Sequence, residues 1–142
     1  MKKSRRSHCP IAASLDLLGD RWTLLVLRDM VFRGHRHFHQ FAQSPEGIAT
    51  NTLAERLDRL ERARVIRKER DPEDGRRKRY VLTEEGLAAI PLLIDLVVWG
   101  ALLDPALDYP ARRLEWMTNE REDVIRYYRE KLTRPETPAP EP

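Results

Sequence analysis

The chain has 142 residues, enough for one hydrophobic core with a helix or two added to it. Hydrophobic residues make up 41% and charged residues 35%, which excludes a wholly disordered chain and leaves an excess of charge over the globular average of about 25%. Net charge is only +3, yet positions 62–79 alone hold 9 Lys/Arg against 4 Asp/Glu, so what needs explaining is a local cationic patch.

The chain begins with MKKSRRSHCP, a basic arm with no apolar segment behind it, so no secretory signal is expected. Cys9 is the sole cysteine, which excludes an intrachain disulfide and a four-cysteine zinc module. Positions 11–18 place Ile11, Leu15 and Leu18 on one side of a short helix. Gly19 ends it, and Asp20 is suited to cap the next, whose sequence RWTLLVLRDMVFR is apolar on nearly all sides and predicts the central helix of the core. A short helix is expected over 37–43, closed by the turn Ser44-Pro45-Glu46-Gly47. The next helix starts within 50–52 and runs to about Arg64, with Leu53, Leu57 and Leu60 as its buried stripe. Thr52 and Glu55 have capping-box spacing, and Thr50 is an alternative cap. Short helix, tight turn and leucine-striped helix outline a helix-turn-helix.

From Val65 the period changes. Positions 65–70 and 77–82 read as strands joined by DPEDGR, where Asp74-Gly75 predicts a tight turn with positive φ at the glycine. The product is a β-hairpin wing with an arginine-rich tip. Thr83 is suited to cap one continuous helix with Glu84 and Glu85 in its first turn, carrying Leu87 to Val98 and stopping near Trp99-Gly100. The apolar stretch 90–103 is interrupted by Pro91, Asp95 and Gly100 and falls short of the ~20 residues of a bilayer span, so no membrane segment and a cytoplasmic location are expected. Positions 111–132 read as one further amphipathic helix. The fold class expected is mainly α with a small β-hairpin wing, a winged helix-turn-helix. Its parts are a basic arm (1–9), a DNA-binding domain (10–100), a C-terminal helical extension for dimerisation (101–133) and a disordered proline-rich tail (134–142).

The major groove of B-DNA, about 12 Å wide, admits one α-helix. With the leucine stripe turned inward, Thr50, Asn51, Thr52, Glu55, Arg56 and Arg59 lie on the outward and flanking faces. Asn suits adenine, Arg suits guanine, and Thr suits a thymine methyl or a phosphate. Arg76, Arg77 and Lys78 at the wing, with Lys2, Lys3, Arg5 and Arg6 of the arm, suit phosphates or a minor groove. No Ser/His/Asp spacing, glycine-rich phosphate loop or paired carboxylates stand out, so no catalytic site and no cofactor are expected. A rival reading is a winged-helix module that binds an acidic protein or RNA.

Several blocks resemble the HxlR-type family of bacterial winged helix-turn-helix regulators, which are related to the MarR group. They are Cys9-Pro10, GDRWTLLVLR from Gly19, Phe38-x-x-Phe41, Gly47-Ile48 leading into Leu53-x-x-Arg56-Leu57-x-x-Leu60, and Tyr80-x-Leu82-Thr83. The resemblance covers about 8–100 and implies a homodimer that binds a pseudo-palindromic operator in double-stranded DNA and represses or activates nearby genes; repression is the reading taken here, with a small-molecule effector as a candidate further partner. By position it puts Asn51, Thr52 and Arg56 on the recognition helix and Arg76, Arg77 and Lys78 on the wing. It also makes Cys9 a candidate redox sensor, since several relatives carry a reactive thiol there; the bland alternative is a small buried residue. Ala49 stands where the family has serine, the hairpin looks more like the MarR wing, and 101–133 extend past the usual C-terminus.

Three side signals have bland readings. His35, His37 and His39 would share a face only on an extended chain, and with no carboxylate or thiol to complete a set they are expected as solvated helix-start residues rather than a metal site. Trp22 and Trp99 are expected in core and interface packing, with an effector pocket between subunits as the alternative. Tyr127 and Tyr128 would serve as anchors if the last helix docks another protein instead of a second copy.

Overall fold

Alternation of leucine-striped segments with one charged hairpin governs the architecture, and a computed structural model describes it for residues 7–134. Lys2, Lys3, Arg5 and Arg6 of the arm, and the tail beyond Arg134, lie outside the described residues. The described chain divides into two compact units between Thr83 and Glu84.

The first unit holds α1 (Pro10–Leu18), α2 (Thr23–Phe32), α3 (Phe38–Ala42), α4 (Thr50–Arg62), β1 (Ile66–Arg70) and β2 (Lys78–Leu82). As expected, α2 is central: Val26, Leu27, Met30 and Val31 are buried, as are Phe41 of α3 and the α4 stripe Leu53, Leu57 and Leu60. Helix α1 follows its expected span but buries none of its residues, and Ile11 and Leu15 stay exposed. The strands pair antiparallel from Ile66 opposite Leu82 to Arg70 opposite Lys78. This winged arrangement of helix-turn-helix and hairpin matches the expected fold class.

The turn chemistry departs from expectation in two places. Helix α4 starts after Ala49, whose side chain offers no cap, and neither Thr50 nor the Thr52–Glu55 pair supplies one. The extended backbone of Ala49 follows the buried Ile48, and Leu53 N–H closes the first turn onto the Ala49 carbonyl at 2.9 Å, so the helix begins upstream of the expected box. The hairpin needs no positive φ at Gly75; only Gly34 and Gly47 among the described glycines have one. Instead Asp71 Oδ1 accepts from the amides of Glu73 (2.8 Å) and Asp74 (3.4 Å), folding the turn by side-chain capping. Helix α4 ends in a Schellman motif, with Val65 N–H donating to the Leu60 carbonyl and Arg64 N–H to that of Glu61, each at 3.0 Å. That motif forces Arg64 to φ 61°, where glycine is the usual occupant.

The second unit holds α5 (Glu84–Leu87), α6 (Ile90–Leu103), α7 (Ala111–Asn119) and α8 (Arg121–Thr133). The continuous helix expected after Thr83 is divided between α5 and α6, because Pro91 occupies the first turn of α6 and cannot continue a ladder from upstream. The expected single C-terminal helix is also two, broken at Glu120 (φ −126°, ψ 41°), which ends α7 and begins α8. The break lets α7 and α8 each pack on α6 and on one another, burying Ile90, Leu93, Ile94, Met117, Val124 and Tyr128. Arg121 spans Asp95 with two hydrogen bonds of 2.8 and 2.9 Å. Tyr128 is fully buried and its hydroxyl accepts from Arg113 at 2.6 Å, so it is a core residue and not a docking anchor. Trp99, expected in packing, is 57% exposed, and Leu102 and Leu103 beside it are exposed as well. Counted from Glu84, the segment to Leu103 has 20 residues and is apolar enough to cross a membrane by length and composition. Within that segment Gly86, Leu87, Ile90, Leu93 and Ile94 are buried, but its most apolar window is only 28% buried, so the expectation drawn from the shorter stretch 90–103 does not extend to the longer segment.

Candidate nucleic-acid interface

The leucine stripe fixes which side of α4 meets solvent. Thr50, Asn51 and Glu55 are exposed, Thr52 and Arg56 are half-buried, and Arg59 is intermediate. With no side-chain cap on Ala49, the first turn of α4 offers backbone N–H groups and the positive end of the helix dipole beside Thr50 and Asn51.

Arg56 and Arg59 do not simply project outward. Arg56 Nε donates to Asp20 Oδ1 at 3.0 Å, and its Nη1 contacts Glu55 Oε2. Arg59 donates to Asp20 Oδ2 at 3.4 Å and to Glu55 Oε1 at 3.1 Å. Asp20 also accepts from the amides of Trp22 (2.7 Å) and Thr23 (3.0 Å) and from the Thr23 hydroxyl. Burial pushes the Asp20 carboxyl up, but the Thr23 hydroxyl, the two amides and Arg56 outweigh it and hold the pKa at about 2. Asp20 thus accepts from the amides at the entry to α2, although the N-cap position itself falls on Trp22 and not on Asp20 as expected, and it also grips α4. Sequence spacing could not show that, because 36 residues separate Asp20 from Arg56.

The turn that sets α3 against α4 rests on Asp29, a side chain to which no role is assigned by periodicity or motif. It is 2% exposed and binds Arg28 (2.8 Å), Arg33 (3.0 Å) and the Ser44 hydroxyl. Arg28 in turn clasps Glu46 with bonds of 2.6 and 2.8 Å, which lowers the Glu46 carboxyl to about 2 against the opposing effect of burial. A lone aspartate inside an apolar run was the available signal, since a buried carboxylate requires partners. A small cavity of about 10 Å³, lined by Trp22, Leu25, Phe41 and Ile48 among others, has room for a water rather than an effector.

The wing is fastened to the helix-turn-helix. Tyr80 N–H donates to the Arg36 carbonyl at 2.7 Å, His37 Nδ1 lies 3.3 Å from the Lys78 carbonyl, and His37 Nε2 lies 3.1 Å from Asp71. His37 stacks on His39, which reaches Arg77 at 3.5 Å, while His35 turns toward Asp29 (4.0 Å) and the Phe41 ring. The histidines therefore are not equivalent solvated residues: His35 and His37 precede α3 and are drawn to different partners, Asp29 and Asp71. Among the described residues no cluster of His, Cys, Asp and Glu is arranged to hold a metal. Arg76, Arg77 and Lys78 are all exposed at the tip, Arg76 most of all at 93% of its side chain. Cys9 is exposed at the start of α1.

Comparison with known proteins agrees with this geometry. The HxlR-like helix-turn-helix family profile matches residues 17–106. The HTH-type transcriptional regulator sll1512 of Synechocystis is 40% identical over 93 residues, 66% of this chain and 68% of its own. PA1607, whose crystal structure is described as that of a transcription factor, superposes with a TM-score of 0.66 at 37% identity, over 74% of this chain and 72% of its own. The transcriptional regulator YodB of Bacillus subtilis matches in reduced form with a TM-score of 0.55 at 27% identity, over 72% of this chain and 100% of its own. It matches in quinone-bound form with a TM-score of 0.54 at 26% identity, over 66% and 99%.

Proposed function

The chain belongs to the HxlR-like helix-turn-helix family of transcriptional regulators, and from that premise we propose that it acts as a homodimeric repressor on a pseudo-palindromic operator. The observation that carries this reading is the pairing of an uncapped, exposed α4 start bearing Thr50 and Asn51 with a wing tip bearing Arg76, Arg77 and Lys78. One element has groove-reading chemistry and the other has phosphate-neutralising chemistry, the two parts that specific DNA binding requires. Two copies related by two-fold symmetry would set their α4 helices into major grooves about 34 Å apart, one turn of the duplex.

Trp99, Leu102 and Leu103 support a second copy, because large apolar side chains 57%, 74% and 63% exposed gain by mutual burial. Positions 101–133 are the dimerisation extension in this reading. The exposed Cys9 thiol is the point at which an oxidant or electrophile would act, in keeping with a relative that binds a quinone. Repression then ends when the modified N-terminal segment displaces one reading head from the other.

Selection of bound fragments from random duplex DNA by the full chain, with sedimentation of the complex, tests the reading. The expected product is an inverted repeat with half-sites 10–10.5 base pairs apart, about one helical turn, bound by two copies. Recovery of no common sequence, or of single half-sites bound by one copy, overturns it. Repeating the selection after diamide treatment of wild type and Cys9→Ser tests the thiol: release by the wild type alone is expected.

A further inference from the structure

Every residue so far given a reading role lies on α4 or the wing, yet the side chain holding the two α4 arginines lies outside both. We propose that Asp20 is a positioning residue for DNA readout: its carboxylate fixes Arg56, and secondarily Arg59, so that Arg56 presents a defined pair of N–H donors to one base. This rests on the DNA-reading function proposed above.

Arginine is a long side chain with five donors, and an unsupported one samples many orientations before reaching a guanine edge. Asp20 removes that freedom from the Nε side, at 3.0 Å, and leaves the two terminal nitrogens of the guanidinium out of that bond. Glu55 also contacts Arg56, but the two carboxylates are differently placed. Asp20 is 19% exposed and anchored by the Trp22 and Thr23 amides and the Thr23 hydroxyl; Glu55 is 45% exposed. As a polyanion approaches, Glu55 is therefore the one that swings away and releases Nη1, while Asp20 stays. Arg56 is itself only 18% exposed, so it reaches DNA from a held position rather than by sweeping.

Capping α2 does not by itself call for this residue. A cap requires an acceptor oxygen, which Asn supplies about as well as Asp. Two arginines converging from another helix make use of the charge and of the second oxygen, and those are what an amide lacks. The substitution Asp20→Asn thus separates the two roles.

The experiment measures full-length wild type, Asp20→Asn, Arg56→Ala and the double variant on the selected operator, on each single base-pair change within it, and on random duplex. Asp20→Asn is expected to lose roughly ten-fold of discrimination at one base pair per half-site, the scale of one bidentate contact, with other positions unaffected. Its affinity for random duplex should stay level or rise, because a negative charge has left a phosphate-facing surface. In the Arg56→Ala background the same change should remove no further discrimination, since the two residues act as one unit. Unchanged affinity and an unchanged unfolding temperature would show a cap and nothing more, and equal weakening on all duplexes with a lower unfolding temperature would show an ion pair that only stabilises the fold. Unchanged discrimination, or losses that add in the double variant, also overturns the assignment. If the wild type selects no operator, the DNA-reading function itself fails and this inference falls with it; an operator whose preference ignores Asp20 sinks the inference alone.

Discussion

His37 Nε2 lies 3.1 Å from Asp71 Oδ2, joining the residue before α3 to the residue after β1. This contact ties the wing to the helix-turn-helix, and the same carboxylate folds the hairpin turn through the Glu73 and Asp74 amides. The Glu73 amide, then that of Asp74, then the charge of His37 and Arg77 hold Asp71 below the usual carboxylate range against the effect of burial.

Replacing Asp71 with alanine should therefore loosen the tip and its attachment together. Amide hydrogen exchange at Glu73 and Asp74 is expected to speed up, and affinity for all duplexes to fall alike. Protection at those two amides equal to wild type would show that the turn stands without its aspartate.

Arg77, exposed at the tip beside His39, is assigned to phosphate. Arg77→Ala should weaken specific and random duplexes by the same factor and flatten the plot of log affinity against log salt by about one. A change of preference among operator variants would instead place Arg77 on a base.

Arg64 holds φ 61° because the Schellman motif leaves it no other conformation. A left-handed non-glycine residue costs roughly 1–2 kcal/mol, and glycine gives back about half of that gain through its looser unfolded chain. Arg64→Gly is thus expected to raise stability by about 0.5–1 kcal/mol in urea unfolding. A destabilised variant would mean that the Arg64 side chain contributes more than its backbone costs.

Acid stability follows from Asp20 and Glu46, both held at about 2. A depressed folded pKa means that the unfolded chain takes up protons first, so the stabilisation is whole above about pH 5 and drains away as pH falls toward 2. Thermal unfolding followed from pH 6 to 2 should show its steepest decline in that interval. Asp20→Asn should make the decline shallower, and an unaltered slope would remove Asp20 from the acid-sensitive set.

Much of this architecture was legible in the residues themselves. The spacing of Leu53, Leu57 and Leu60 determines both that a helix forms and which of its faces is buried, because helical period and hydrophobic burial act locally. The change of period at Val65 likewise marks the wing, and the arginines at its tip are exposed because no apolar neighbour could bury them. Pro91 and Glu120 show the limit: apolar residues recur at helical spacing on both sides of each, and helices divide there to let α6, α7 and α8 pack pairwise. Charge pairing was likewise out of reach. Asp20 reads as a helix cap and Arg56 as an outward base reader, and only the tertiary fold brings them to 3.0 Å. Local propensity depends on neighbours along the chain, whereas ion pairs and buried polar hubs such as Asp29 depend on which distant segments the packed core draws together.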